Sequence, residues 1–222
     1  MRRSVASAVG AWVVGTSASI GVGLGGCAST GIAVREQFGY AKREQLVDRV
    51  QDARDSQEKA KEQFADALEE FIAVTKVSGG ELEKTYSRLK SELSRSEDRA
   101  ETVRARIKSV ENVANTLFAE WERELASYSS AELRRSSEEK LEQTRDRYEQ
   151  LLGAMRRAES KMEPVLAAFR DQVLFLKHNL NAQAVASLEG TVVELEGEIA
   201  ALVRDMEASI AEANAFIESL KG

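Results

Sequence analysis

The sequence is poor in the residues on which most enzyme sites depend. Its 222 residues include one cysteine, one proline and one histidine, and aromatic residues make up only 6%. A single cysteine cannot form an intramolecular disulfide, and a single histidine cannot supply the two Glu-x-x-His motifs of a di-metal helical bundle. We therefore expect no metal site, no cofactor, no nucleophilic triad and no enzyme activity.

The chain also lacks the features of proteins that bind phosphate groups or nucleic acids. Gly79-Gly80 has no following Lys-Ser or Lys-Thr, so it does not form a phosphate loop. The net charge of −6 argues against a nucleic-acid partner. Basic pairs stand beside acids, which favours solvated helix flanks over a site for phosphate-bearing lipid or polymer; they are Lys42-Arg43, Arg134-Arg135 and Arg156-Arg157.

Charged and hydrophobic residues dominate instead, at 31% and 43%, and their order is helical. Apolar residues recur at alternating steps of four and three through four long segments, with few polar exceptions such as Gln57, Ser96 and Glu124. Helices are expected at about 35–77, 81–128, 131–180 and 182–220, each roughly 60 to 75 Å long. Matched lengths and short turns predict an all-α, elongated, antiparallel four-helix bundle with up-down-up-down order.

The breaks between these segments carry turn and capping residues. Ser78-Gly79-Gly80 separates the first two helices, and Asn179-Leu180-Asn181 separates the last two. Ser129 and Glu132 have the spacing of a capping box for the third helix.

The first 26 residues have the layout of a secretory signal. Arg2 and Arg3 precede a stretch of apolar and small residues, and no acid occurs before Cys27. Leu24-Gly25-Gly26-Cys27 resembles the lipobox of bacterial lipoproteins. The resemblance implies cleavage before Cys27, lipid on its sulfur and, because Ala28 rather than Asp follows, an outer-membrane anchor facing the periplasm. Residues 27–34 would then be a tether.

The third segment has an irregular stretch around its proline. The seam shifts phase at Met162, and Pro164 lacks a backbone donor in the same turn, so a kink is predicted near Pro164. From Pro164 to Leu180 the apolar residues exceed what one seam needs, which fits either a wider core or a groove for a partner helix or lipid.

Counting turns from Cys27 predicts which end of the bundle faces away from the membrane. The third helix runs outward, so its end should lie far from the lipid. Lys177, His178, Asn179 and Asn181 are therefore the predicted partner-binding tip.

Several strings of the chain also resemble an uncharacterised family of Gram-negative coiled-coil lipoproteins that has a domain of unknown function. These strings are residues 42–50, 133–137, 154–159, 161–166, 169–173 and 176–182. The resemblance spans nearly all of the chain after Cys27. It implies an envelope protein and brings no activity, cofactor or catalytic residue.

Together these patterns favour a lipid-anchored periplasmic scaffold or adaptor that binds an envelope protein or polymer. The alternative is a lipid- or peptidoglycan-binding module that uses the apolar segment from Pro164 to Leu180. A homo-oligomer also stays open, because the seams do not fix the oligomeric state.

The lipobox predicts a mature protein that begins at an acylated Cys27. Intact-mass measurement on the membrane fraction should find the mass of residues 27–222 plus acyl chains, and Cys27→Ser should abolish that addition. A Cys27→Ser protein that kept the acyl mass would refute lipidation at this residue.

Overall fold

Five helices form the part of the chain that the computed structural model describes, which is residues 27–76, 81–179 and 181–221. Side chains are described from residue 41 onward, apart from that of Ala182. The helices are α1 (Cys27–Thr75), α2 (Leu82–Leu125), α3 (Ala131–His178), α4 (Ala182–Ser187) and α5 (Glu189–Lys221). The predicted all-α fold is confirmed.

The chain divides into two units, Met1–Glu36 and Gln37–Gly222. Within the first unit, residues 27–36 are helical. The second unit holds the bundle described below.

Contacts between side chains show how the helices of the bundle pair. Asp52 of α1 forms an ion pair with Arg106 of α2, and Glu70 of α1 forms one with Arg88 of α2. Later residues of α1 therefore lie beside earlier residues of α2. The same antiparallel order joins α2 to α3, α3 to α5 and α1 to α5, through pairs such as Arg104–Glu163, Lys161–Asp205 and Arg54–Asn214. Phe71 of α1 meets Phe169 of α3 across the core, with ring centroids 5.8 Å apart and planes at 88°. Consecutive long helices therefore run antiparallel around a shared core.

The predicted seams supply this core. Every α1 seam position from Leu46 to Val74 is buried, including Gln57, and the central α2 positions from Leu89 to Leu117 are buried as well. Tyr128, which follows α2, is exposed, and some seam positions are only partly buried: Leu82, Tyr86, Trp121, Glu124, Thr144, Val192 and Leu220. Burying such a side chain fully contributes about 1.5–3 kcal/mol, so the repeated seam is the main stabilising feature of the bundle.

One polar contact crosses the apolar core. Ser209 Oγ of α5 donates to Gln57 Oε1 of α1 at 2.8 Å, and both side chains are fully buried. Gln57 Nε2 has no hydrogen-bond partner among the described residues. A buried polar pair of this kind favours one helix register over its neighbours at a cost in stability.

Three boundaries differ from expectation. First, α1 begins at Cys27 rather than near residue 35, so the expected tether 27–34 is helical; Gly31 alone does not end a helix. Second, the expected 182–220 helix is divided at Leu188, whose N–H bonds Val185 O at 3.1 Å in a tightened turn just before Gly190. Third, α2 ends at Leu125, three residues early.

The capping box predicted at the start of α3 is wrong. Ser130, rather than Ser129, is the N-cap, and its Oγ accepts a hydrogen bond from Leu133 N at 3.3 Å. Because α3 begins at Ala131, Glu132 lies one position too early to complete a box with Ser130.

Pro164 lies within α3 without interrupting it. Its ring is exposed, while Met162, Val165 and Leu166 around it are buried. The phase shift therefore places Val165 and Leu166 side by side in the core. The kink stays a prediction.

Replacing Pro164 should show by how much its missing backbone N–H donor lowers the free energy of unfolding. Pro164→Ala restores an N–H that can bond the Ser160 carbonyl, so the free energy of unfolding should rise by about 1–3 kcal/mol. Urea unfolding measures this. As a control, Ala167→Gly at a nearby exposed position should lower it by about 1 kcal/mol. Unchanged stability in Pro164→Ala would contradict a local defect, as would amide protection across residues 158–170 equal to that across 100–115.

Candidate binding surfaces

The predicted tip divides into two capping residues and two exposed residues, Lys177 and His178. Asn179 donates through Nδ2 to Phe175 O at 3.0 Å, and Asn181 caps α4 by accepting from Ala184 N at 2.9 Å. Both asparagines therefore stabilise the turn. Lys177 and His178 are exposed in the last turn of α3, where positive charge also suits the helix C-terminus.

Two apolar side chains lie beside Lys177 and His178. Leu174 and Phe175 are 57% and 40% exposed, although Val173 and Leu176 are buried on the opposite face of the same turns. The run from Val173 to Leu176 thus contributes half of its side chains to the core and half to the surface. We call Leu174, Phe175, Lys177 and His178 the α3 end surface; it combines apolar area with positive charge.

The groove predicted for the Pro164 to Leu180 segment is not open along its length. Val165, Leu166, Phe169, Val173 and Leu176 all pack into the core of the bundle. Among the described residues of this stretch, exposed apolar surface comes from Pro164, Ala167, Leu174 and Phe175.

The opposite end of the bundle has a second exposed surface, at the α2–α3 turn. Tyr128 and Leu133 are 43% and 59% exposed. Trp121 Nε1 donates to Ser137 Oγ at 2.8 Å, and the guanidinium of Arg43 lies 5.8 Å from the Trp121 ring centroid. We call residues 128–135 the α2–α3 end surface. In the sequence, the signal for this surface is Leu133, an apolar residue that precedes Leu141, the first seam position of α3.

A shallow groove lies between the C-terminal part of α2 and α3. It holds about 230 Å³ and is lined by Asn115, Phe118, Arg145, Tyr148 and Glu149, among others. Arg145 stacks over Phe118 at 5.1 Å and pairs with Glu122 at 2.9 Å. Its cation is therefore already engaged within the bundle.

Tyr148 is the most perturbed group at this groove. Its ring packs edge-on against Phe118 at 5.4 Å and near Phe216 at 6.5 Å. Burial, reinforced by the nearby Glu111 carboxylate, raises the pKa of Tyr148 to about 12. The phenol is thus neutral at physiological pH and is not a ready base or nucleophile.

The basic pairs behave as helix flanks. Lys42 pairs with Glu120, Arg156 with Glu111, and Arg135 with Glu139 at 3.2 Å. Arg156 donates hydrogen bonds to Glu111, and these raise the pKa of Arg156, as expected for a cation held by a carboxylate. These contacts favour the flank interpretation for Lys42, Arg135 and Arg156.

A linked set of ion pairs joins α2 and α3. Arg170 bonds Glu163 at 2.9 Å and Glu97 at 2.5 Å, and Arg104 bonds Glu163 at 2.7 Å. The two arginines hold the pKa of Glu163 below its usual value. Exposed pairs of this kind contribute little each, typically about 0–1 kcal/mol, so their role is to align the helices rather than to form a reactive site.

Among the described residues, no group of three or more His, Cys, Asp or Glu side chains could hold a metal ion. None of the described helices is long and apolar enough to cross a membrane. Leu24, Gly25 and Gly26 lie outside the described residues, as does the side chain of Cys27.

Comparison with known proteins identifies a family without a known role. A family model described as a protein of unknown function (DUF2959) matches residues 32–220. No curated protein and no solved structure matches the chain.

The raised pKa of Tyr148 predicts a pH dependence of stability. The Tyr148 phenol has a pKa of about 10 in the unfolded chain and about 12 in the folded chain. The stability that the neutral, buried phenol contributes is therefore fully present below a pH of about 10. The free energy of unfolding then falls by about 2–3 kcal/mol as the pH rises toward 12. Tyr148→Phe should remove this component in urea unfolding from pH 9 to 12, while Tyr128→Phe should keep it. An identical alkaline decline in wild type and Tyr148→Phe would contradict the assignment.

Proposed function

The chain belongs to the DUF2959 family of proteins of unknown function, and from its own residues we propose that it is a lipid-anchored helical adaptor of the bacterial envelope. In this proposal lipid on Cys27 holds it in the outer membrane, and the bundle projects into the periplasm to bind an envelope protein. The observation that carries the proposal is Leu24-Gly25-Gly26-Cys27 after an acid-free apolar start, with Cys27 the single cysteine of the chain.

Three acyl chains, two on the glycerol that is thioether-linked to the cysteine and one on its amine, as in bacterial lipoproteins, would anchor such a protein firmly. Each buried methylene contributes about 0.8 kcal/mol, so one chain binds reversibly and several bind stably. Removing residues 1–26 would also make the chain more acidic, since they hold Arg2 and Arg3 and no acid.

The form of the bundle supports an adaptor over a module that encloses a ligand. Its seams are packed along their length, and the deepest polar contact, Gln57 with Ser209, lies between two helices rather than in an open cavity. Binding energy is then available only at the surface, where a few exposed apolar and aromatic anchors usually contribute most.

The α3 end surface is the best candidate for the partner. Leu174 and Phe175 offer apolar area, Lys177 adds positive charge at the rim, and His178 is exposed beside it. This chemistry suits an envelope protein with an apolar patch bordered by acids.

The alternative, a module for lipid or peptidoglycan, uses the same stretch. Exposed Leu174 and Phe175 favour this alternative because an acyl chain could lie on them. The identity of the captured molecule separates the two.

In-cell crosslinking tests the adaptor proposal. A photo-crosslinking residue in place of His178 should give a discrete protein adduct, whereas the same residue at Lys59, an exposed position in the middle of α1, should not. Lys177→Glu with Phe175→Ser should reduce that adduct at least about tenfold, as expected for loss of an interface anchor. Lys59→Glu, which reverses one charge as Lys177→Glu does, is the matched control and should leave the adduct intact.

Two results would argue against the proposal. An adduct with lipid or peptidoglycan would favour the alternative module. Equal adducts from positions 59 and 178 would show that the α3 end surface has no special partner.

A further inference from the structure

The first turns of α5 are built from residues that favour a helix weakly. Gly190 and Gly197 lie inside the helix, and Thr191, Val192 and Val193 form a run of three β-branched residues. Glycine loses more backbone freedom in a helix than other residues do, and β-branched residues lose side-chain freedom. A methyl group on either glycine would reach within 4 Å of no described atom beyond its own helix backbone and chain neighbours. Packing therefore does not require glycine at these positions.

The same stretch carries charge of one sign. Between residues 182 and 198 there are four acids and no lysine or arginine; the acids are Glu189, Glu194, Glu196 and Glu198. Glu194 and Glu198 are four residues apart, a spacing at which like charges destabilise a helix. No ion pair joins any of the four to a described residue, whereas Asp205, further along α5, pairs with Lys161 at 2.6 Å.

The packing of the stretch has two defects. The helix is interrupted at Leu188, where α4 ends and α5 has not yet begun. One carboxylate oxygen of Glu198, Oε2, is buried and has no hydrogen-bond partner among the described residues. A buried oxygen without a partner has lost its hydration without compensation, so a local opening that returns it to water is favoured.

Few apolar contacts hold this stretch against the bundle, and the rest of α5 is held better. The buried side chains of the stretch are Ala184, Val185, Leu188 and Leu195. The part of α5 that follows buries seven side chains and is bonded to α1 through Ser209 and Gln57; the seven are Ile199, Leu202, Met206, Ser209, Ala213, Phe216 and Ile217. The change from weak to firm attachment therefore lies near Ile199.

We propose that residues 182–198, which we call the α4–α5 strap, open by local unfolding while the rest of the bundle stays folded. Proteins open locally at free energies well below that of global unfolding where a segment has few buried contacts and weak local structure. The strap combines both properties. Its opening is a property of the fold and does not depend on lipid at Cys27 or on a partner.

The opening would change the surface at one end of the bundle. The Lys161–Asp205 ion pair shows that α3 and α5 are antiparallel, so the strap lies along the last turns of α3. Val173 and Leu176 of these turns are buried in the core that the strap shares. Opening the strap would therefore add apolar area next to the α3 end surface.

Thiol labelling of the folded protein tests the strap. In the chain with Cys27→Ser, Ala184→Cys places one thiol in the strap, and Ala213→Cys places one in the later part of α5; both alanines are buried. A buried thiol reacts only when the protein opens, so Ala184→Cys should react with an aromatic disulfide reagent at least about tenfold faster than Ala213→Cys. Its rate should also rise little with urea, because a local opening exposes little surface.

Glycine substitutions show whether weak helix formation causes the opening. Gly190→Ala and Gly197→Ala should each slow the labelling of Ala184→Cys about fourfold, since alanine is favoured over glycine in a helix interior by about that factor. Gly153→Ala in the middle of α3 is the matched control, because its added methyl group would make an ordinary contact of 3.5 Å with Arg157. It alters a part of the bundle that stays folded and should leave this labelling rate unchanged.

Hydrogen exchange gives an independent measure, with amides of residues 190–197 expected to exchange faster than those of residues 202–217. Three results would overturn the inference: equal labelling rates at positions 184 and 213, equal slowing by Gly153→Ala, or uniform amide protection along α5. These measurements use neither an acyl chain nor a partner. Their failure would leave lipidation of Cys27 and crosslinking at position 178 untouched.

Discussion

Burial of the heptad seams is the constraint on which the rest of this structure depends. Each long helix is amphipathic, and none can bury its seam alone, so the four long helices must pack around one core. Once Leu46 to Val74 of α1 are buried, the flanking ion pairs with α2 and α5 form in antiparallel register. The exposed pairs then add alignment, while the apolar seam supplies most of the stability.

The same packing explains where large apolar side chains stay exposed among the described residues. Along the middle of the bundle, most seam residues are buried and many flank charges are paired, as for Arg104, Glu163 and Arg170. At the α2–α3 turn, α3 begins outside the core, so Leu133 is exposed. Phe175 is exposed because it lies on the face of α3 opposite buried Leu176.

The buried hydrogen bond between Gln57 and Ser209 restricts how α1 and α5 can align. Gln57 and Ser209 satisfy each other in part, at a site where an apolar pair would be more stable. A sliding of α5 along α1 by one seam step would leave both groups without a partner. The pair therefore resists alternative registers of helices whose seams are otherwise much alike.

The sequence by itself determined the all-α class, nearly all of the core positions and the Leu24 to Cys27 motif, because heptad periodicity and short motifs are local properties of the chain. Tertiary structure decided the rest. Whether Leu174 or Val173 is buried depends on where α2 and α5 lie, and the N-cap moved to Ser130 because the α2–α3 turn set the start of α3. The contact of Tyr148 with Phe118 and Phe216 joins three helices, and no spacing within one helix encodes how far away its neighbours stand.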